Sequence, residues 1–200
     1  MEGFLFLWIS WMIWIIVTFL LPKTSTRTVC AIFILSTISL SSVYIVLDGL
    51  TIYVSIMVLF ICGLWLISET GHWLRYILTS TAVGLGFTGY LFWEQIMPVM
   101  LLLSRNIVIP FIASLLLFFI TKNARDQLAV WISSACLGEC IHSFILHGYG
   151  VNTSVGELRF LDVICTTIAF LFVMHGFMVF RRKLYNAIDW LEKQNNEVKS

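Results

Sequence analysis

The sequence predicts an all-α fold: a polytopic transmembrane bundle of about seven helices, with the N-terminus outside and the C-terminus cytoplasmic. Three observations predict it. Hydrophobic residues make up 60% of the 200-residue chain and charged residues 12%, and mean hydropathy is +0.95. A soluble domain carries about 45–50% apolar and about 25% charged residues. The apolar residues also fall in near-continuous runs of roughly 20, the length that crosses about 30 Å of hydrocarbon. Lastly, the basic residues alternate in sidedness from one connection to the next. Lipid tolerates only helices or closed barrels. Barrel strands would alternate in polarity over about ten residues, so the unbroken runs select helices.

The first span is Phe4–Leu21, ended by Pro22 and Lys23. It reads as a retained span rather than a signal peptide. No basic stretch precedes it, its length exceeds the usual apolar core of about 7–15 residues, and no small-x-small cleavage pattern follows. The second is Val29–Leu47, stopped by Asp48-Gly49, and the third is Thr51–Ile67, followed by Ser68-Glu69-Thr70-Gly71-His72. The fourth is Trp73–Trp93, followed by Glu94-Gln95. The fifth lies within Ile96–Ile120, where Arg105-Asn106 interrupts the run and Pro98 and Pro110 flank it. Either a tilted helix runs from Pro98 to Ile120, or 96–104 lies on the outer surface and a short span begins near Asn106. The sixth is Gln127–His147 and the seventh Leu158–Phe180.

Lysine and arginine set the orientation. With the N-terminus outside, all of the twelve basic residues except Arg105 and Arg159 lie inside. Glu2, Asp48, Glu94 and Glu157 occupy the outer side. Residues 1–180 form the membrane domain. Residues 181–200 form a cytoplasmic amphipathic helical tail, in which Leu184, Ile188 and Leu191 recur at helical spacing. The triplet Arg181-Arg182-Lys183 falls where anionic lipid headgroups would be.

Trp73 and Trp93 bracket the fourth span as interfacial anchors, and Trp8, Trp11 and Trp14 make a lipid-facing or packing stripe in the first. Ala82 and Gly86 form a small-xxx-small pair that would let two helices approach closely. The serines of the second span would bond their own backbone or a neighbouring helix. The five cysteines sit inside apolar stretches, with no CxxC and no zinc spacing, and read as small apolar residues.

Ionisable groups inside lipid cost about 2.5–3.5 kcal/mol at mid-span on insertion scales, which makes them functional candidates. The sixth span holds the densest set: Cys136, Glu139, Cys140, His142, Ser143 and His147. At 100° per residue, Cys136, Cys140, Ser143 and His147 share one face, which Glu139 borders. Glu139 and His142, three residues apart, can touch. Asp162 and Arg105 fall at a similar depth in the outer half. Glu139, His142, His147, Asp162 and Arg105 are therefore the candidate substrate or proton path. Glu139-Cys140-Ile141-His142 matches the Glu-x-x-His element of di-iron bundles. Those sites need two copies plus two further glutamates, and this chain has one copy, so no metal is expected. The seventh span has no lysine for a retinal Schiff base. No catalytic motif stands out, and no catalytic residue or cofactor is assigned.

The opening Met1-Glu2-Gly3-Phe4, the aromatic segment Trp8-Ile9-Ser10-Trp11-Met12-Ile13-Trp14, and Pro22-Lys23 with Arg27 resemble the YphA family of small multi-pass membrane proteins of Bacillus and related spore formers. The resemblance implies a bacterial plasma-membrane location and a link to sporulation. It implies no catalytic residues.

The reading that follows is a non-enzymatic, multi-pass protein of the bacterial cytoplasmic membrane with an interaction or structural role. Its partners would be the lipid bilayer and, through the tail, a membrane or cytosolic protein. A net charge of +1 gives no field to attract nucleic acid. The alternative is a small-solute or proton-coupled transporter using Glu139, His142 and Asp162.

Overall fold

A computed structural model of the chain describes residues 3–20, 22–97 and 105–199, with side chains through residue 185. Among the described residues there are seven helices and three short strands. In order they are α1 (Phe4–Ile15, continued by a π-helical turn, Ile16–Leu20), α2 (Ser25–Leu40), β1 (Tyr44–Leu47), β2 (Leu50–Tyr53), α3 (Val54–Ser68), α4 (Trp73–Ile96), α5 (Arg105–Ile120), α6 (Ala124–Gly148), β3 (Thr153–Val155) and α7 (Leu158–Lys199). The helices Ala124–Gly148 and Leu158–Tyr185 are long and apolar enough to cross a membrane, by length and composition, and four shorter apolar helices accompany them.

The outward faces are largely apolar. Phe19, Phe119 and Val173 are exposed, and so are the anchoring candidates Trp73 and Trp93. A helix bundle that is apolar on the outside as well as the inside is built for lipid.

The predicted second span divides in two. The helical part stops at Leu40, and Tyr44–Leu47 is a strand, so a single helix over Val29–Leu47 is not formed. The cause is Asp48-Gly49, with φ of 49° and 86°. Two consecutive positive-φ residues make the tight turn that closes a β-hairpin. The flanking Tyr44-Ile45-Val46-Leu47 and Leu50-Thr51-Ile52-Tyr53 are rich in the branched and aromatic residues that suit strands. β2 then pairs in parallel with β3, in the order β1-β2-β3. The architecture is thus helical with a small three-stranded sheet, not purely helical.

α6 is the central helix. It packs on α3 and α4 and also touches α5, α7 and β3. The contact with α4 is a small-residue seam, but not the predicted one. Ala82 and Gly86 are exposed, and a Cβ on Gly86 would meet nothing. The seam is Ser80, Gly84 and Thr88, one residue every four on the adjacent stripe. A Cβ on Gly138 would lie 2.7 Å from the Gly84 carbonyl oxygen, so neither backbone leaves room for a methyl group. Thr88 Oγ1 donates to the carbonyls of Gly84 and Gly138, each at 3.0 Å, and Ser80 Oγ donates to Ser133 Oγ at 2.8 Å. The bonds to Gly138 and Ser133 tie α4 to α6 where no water is available to compete.

α1 is held by α7. The backbone N–H groups of Gly3 and Phe6 donate to Asp162 Oδ2 and Oδ1 at 2.8 and 2.7 Å. A buried carboxylate thus caps the positive end of the α1 dipole. One turn further along, Ser10 Oγ meets Cys165 Sγ at 3.4 Å.

The connections gather at two ends. One end holds the start of α1, the β-hairpin, the start of α5, and β3. The other holds the α1–α2, α3–α4 and α5–α6 turns, and carries Lys23, Arg27, Arg75, Lys122 and Arg125. Arg27 Nη1 donates to the Thr18 carbonyl at 3.3 Å across the first of these turns. Arg125 pairs with Glu69 across the second and third. Beneath them lies a polar cluster. Tyr76 Oη and Asn123 Nδ2 donate to Asp126 Oδ2 at 2.8 and 3.0 Å, and His175 Nε2 meets Gln127 Oε1 at 2.7 Å.

Candidate functional site

At the end that carries the sheet, four helices and a loop surround a half-open polar cavity of about 400 Å³. Its walls come from the last turn of α4, the first turn of α5, the latter half of α6, the β3 strand with its flanking residues, and the first turn of α7. Leu91 and Phe160, both buried, give it an apolar floor.

α6 supplies the deepest polar groups. Glu139 and His142 are three residues apart and face the same way. They are buried to 8% and 9% exposure, and both line the cavity. Among the described residues no side chain hydrogen-bonds or ion-pairs the Glu139 carboxylate. The His142 ring lies against Phe92 with centroids 4.8 Å apart, and its Nε2 has no hydrogen-bond partner. The adjoining Ser143 is tied to the sheet: its Oγ donates to the Ser154 carbonyl at 3.3 Å, and Thr153 Oγ1 donates to its carbonyl at 3.2 Å. β3 is thereby fixed as one wall.

Arg105, where the described part of α5 begins, faces Glu94 near the end of α4, with Nε 3.5 Å from Oε2. That separation is too long for a good hydrogen bond. Arg105 Nε and Glu94 Oε2 both remain buried without a hydrogen-bond partner. Glu157 sits just before α7, where Ser154 Oγ donates to Oε1. Arg159 completes the charged lining. Two arginines and three glutamates thus line the cavity. No group of His, Cys, Asp and Glu among the described residues is arranged to hold a metal ion.

Of the five residues singled out from sequence, the structure brings Arg105, Glu139 and His142 to this cavity. Asp162 is elsewhere, with both oxygens committed to the start of α1. His147, one turn beyond Ser143, is not among the lining residues. The α6 face also differs from the expected one. Cys136 and Ser143 are buried, but Cys140 is exposed. The buried stripe runs through Ala135, Gly138, Glu139 and His142, because α4 closes on α6 at Gly138. The alternatives for 96–104 fall largely outside the described residues, as does the side-chain periodicity of the tail beyond residue 185. The described part of the fifth helix begins at Arg105, and the α7 backbone continues to Lys199. Sequence reasoning missed Glu94 and Glu157 as cavity residues. Their shared sidedness at the ends of apolar runs was the available signal.

A helical bundle with a lipid-compatible exterior and a charged chamber at one end defines an integral membrane protein. The match to the model for YphA-like integral membrane proteins covers residues 2–197, and the chain belongs to that family. It is 25% identical over 177 residues to the uncharacterized protein YphA of Bacillus subtilis (strain 168), covering 86% of each chain. No solved structure matches the chain.

Proposed function

We propose that the protein crosses the bacterial cytoplasmic membrane seven times, N-terminus outside, and receives a small polar solute in a cavity open to the outer side. The separation of charge between the two ends of the bundle supports the orientation. Basic turns lie at the end opposite the cavity, and positive charge favours the cytoplasmic side. The observation that carries the solute reading is the pair Glu139 and His142 at the cavity wall: both residues are buried, Glu139 has no hydrogen-bond or ion-pair partner among the described residues, and His142 Nε2 is buried without a hydrogen-bond partner. An unsatisfied buried polar group costs about 1–3 kcal/mol, more when charged. A ligand that supplies the missing bonds recovers that cost. Movement of the solute or a proton through Glu139 and His142 is the transport form of this reading. Asp162 stays out of the path because it holds α1.

Thermal unfolding of the protein in lipid nanodiscs, against a panel of small polar solutes, tests the proposal. A bound solute at about 100 times its Kd stabilises by roughly 2.7 kcal/mol. The expected result is stabilisation by at least one solute, lost in Glu139→Gln. If no solute shifts the transition, or Glu139→Gln responds like wild type, the reading fails.

A second reading, an interaction role for the tail, draws on the length of α7. Its 42 residues extend about 63 Å at 1.5 Å per residue, roughly twice the hydrocarbon thickness. The surplus projects past the exposed Arg181, Arg182 and Lys183 as a helix. A photo-crosslinker at Tyr185 should give a discrete protein adduct in cells that is lost when residues 186–200 are deleted. Lipid adducts alone would remove this reading.

A further inference from the structure

We infer that the cavity is built for a zwitterion: a small molecule carrying one ammonium group and one carboxylate or phosphate. The inference rests on the solute-binding reading and names its ligand class.

The charged groups of the cavity lining are incompletely hydrogen-bonded. Glu139 offers a carboxylate at the cavity wall with no cation bonded to it among the described residues, and its charged surroundings include Arg105, Glu94 and Glu157. A second carboxylate, Glu94, reaches Arg105 only at 3.5 Å, leaving Oε2 without a hydrogen bond. These groups accept hydrogen bonds and offer none. An ammonium group supplies three donors in a compact charge, which suits these acceptors.

The other half of the site has the opposite sign. Arg105 keeps an unpartnered buried Nε. The first turn of α7 also lines the cavity. Helix N-termini carry partial positive charge and unpaired N–H groups, which favour an anion. A purely cationic ligand would meet Arg105 as a like charge, and a purely anionic one would be repelled by Glu139. A ligand with both charges satisfies both ends. His142 Nε2, unpartnered and lining the cavity, is left to bond a polar atom between them.

Free amino acids and the phosphoethanolamine headgroup of a lipid share this chemistry. Binding to the full chain in phosphatidylcholine nanodiscs is measured with the twenty amino acids, glycerophosphoethanolamine, propionate and ethylamine. At least one zwitterion should bind ten-fold or more tightly than propionate and ethylamine. Arg105→Gln and Glu139→Gln should each remove that advantage, with unfolding temperatures verifying that both variants are folded. Preference for an amino acid points to a free solute. Preference for glycerophosphoethanolamine, with stabilisation by phosphatidylethanolamine nanodiscs, points to the headgroup. If propionate or ethylamine binds as tightly as every zwitterion, the zwitterion inference is overturned while solute binding survives. If a neutral or singly charged solute alone stabilises the protein, the outcome is the same. If nothing binds, both readings fall.

Discussion

Asp162 separates structural from functional readings of a buried carboxylate. It is 4% exposed and accepts two backbone N–H bonds at 2.7–2.8 Å at the start of α1. Hydrogen bonds to a charged group contribute about 1.5–3 kcal/mol each. A charge at a helix N-terminus adds about 0.3–1 kcal/mol, more when partly buried. Asp162→Ala removes both bonds and leaves two donors stranded beside α7, for a loss of about 3–5 kcal/mol. Asp162→Asn keeps one acceptor but turns an NH₂ toward the second donor, for a loss of about 2–3 kcal/mol. At about 2–4 °C per kcal/mol for a chain of this size, the asparagine variant should melt roughly 4–12 °C lower and the alanine variant lower still. Thermal unfolding in nanodiscs reads this directly, and solute binding by the folded fraction should be retained. The reasoning is refuted if Asp162→Asn melts within about 1 °C of wild type while losing solute binding. That pattern would put Asp162 in the solute or proton path and make its contacts with α1 incidental.

Other substitutions probe the rest of the frame. Gly138→Ala would force a methyl group to 2.7 Å from the Gly84 carbonyl oxygen, and should cost about 1–3 kcal/mol or more by overpacking. Gly86→Ala, which meets open space, should stay within about 0.5 kcal/mol of wild type, and equal effects in the two variants would contradict the α4–α6 seam. Glu69→Gln breaks the ion pair to Arg125, whose side chains are 33% and 48% exposed; unfolding should move by less than about 1 kcal/mol and vanish into error at high salt. With a small membrane-permeant maleimide in mild detergent, Cys140 should react first, and Cys136 and Cys165 only after unfolding, because the first is exposed and the others buried.

Much of the helical layout was legible because apolar runs of bilayer length leave few alternatives. Trp73–Trp93, Gln127–His147 and Leu158–Phe180 each lie within an observed helix. The hairpin was hidden because hydropathy does not distinguish an apolar strand from an apolar helix. Asp48-Gly49 between two branched and aromatic tetrads was the missed signal. The α4 seam was misplaced by one stripe, since Ala82–Gly86 and Ser80–Gly84–Thr88 are equally small and only the partner helix decides between them. Depth gathered Arg105, Glu139 and His142 into one candidate set and could not exclude Asp162. The Asp162 bond to Gly3 spans 159 residues, and no local pattern announces it. On α6, periodicity drew the Cys136–Cys140 stripe, but the close approach at Gly138 turned the buried face toward Glu139 and His142.

The central claim is that the charged cavity faces outward, with the C-terminal helix on the cytoplasmic side. Single cysteines placed by Asn152→Cys at the cavity rim and Lys183→Cys on α7 test it most directly, both positions being exposed. Intact cells are treated with a membrane-impermeant maleimide, with the unsubstituted chain as background. The account predicts labelling at position 152 in intact cells, and at position 183 only after the membrane is opened. Labelling of position 183 in sealed cells, with position 152 protected, would contradict it.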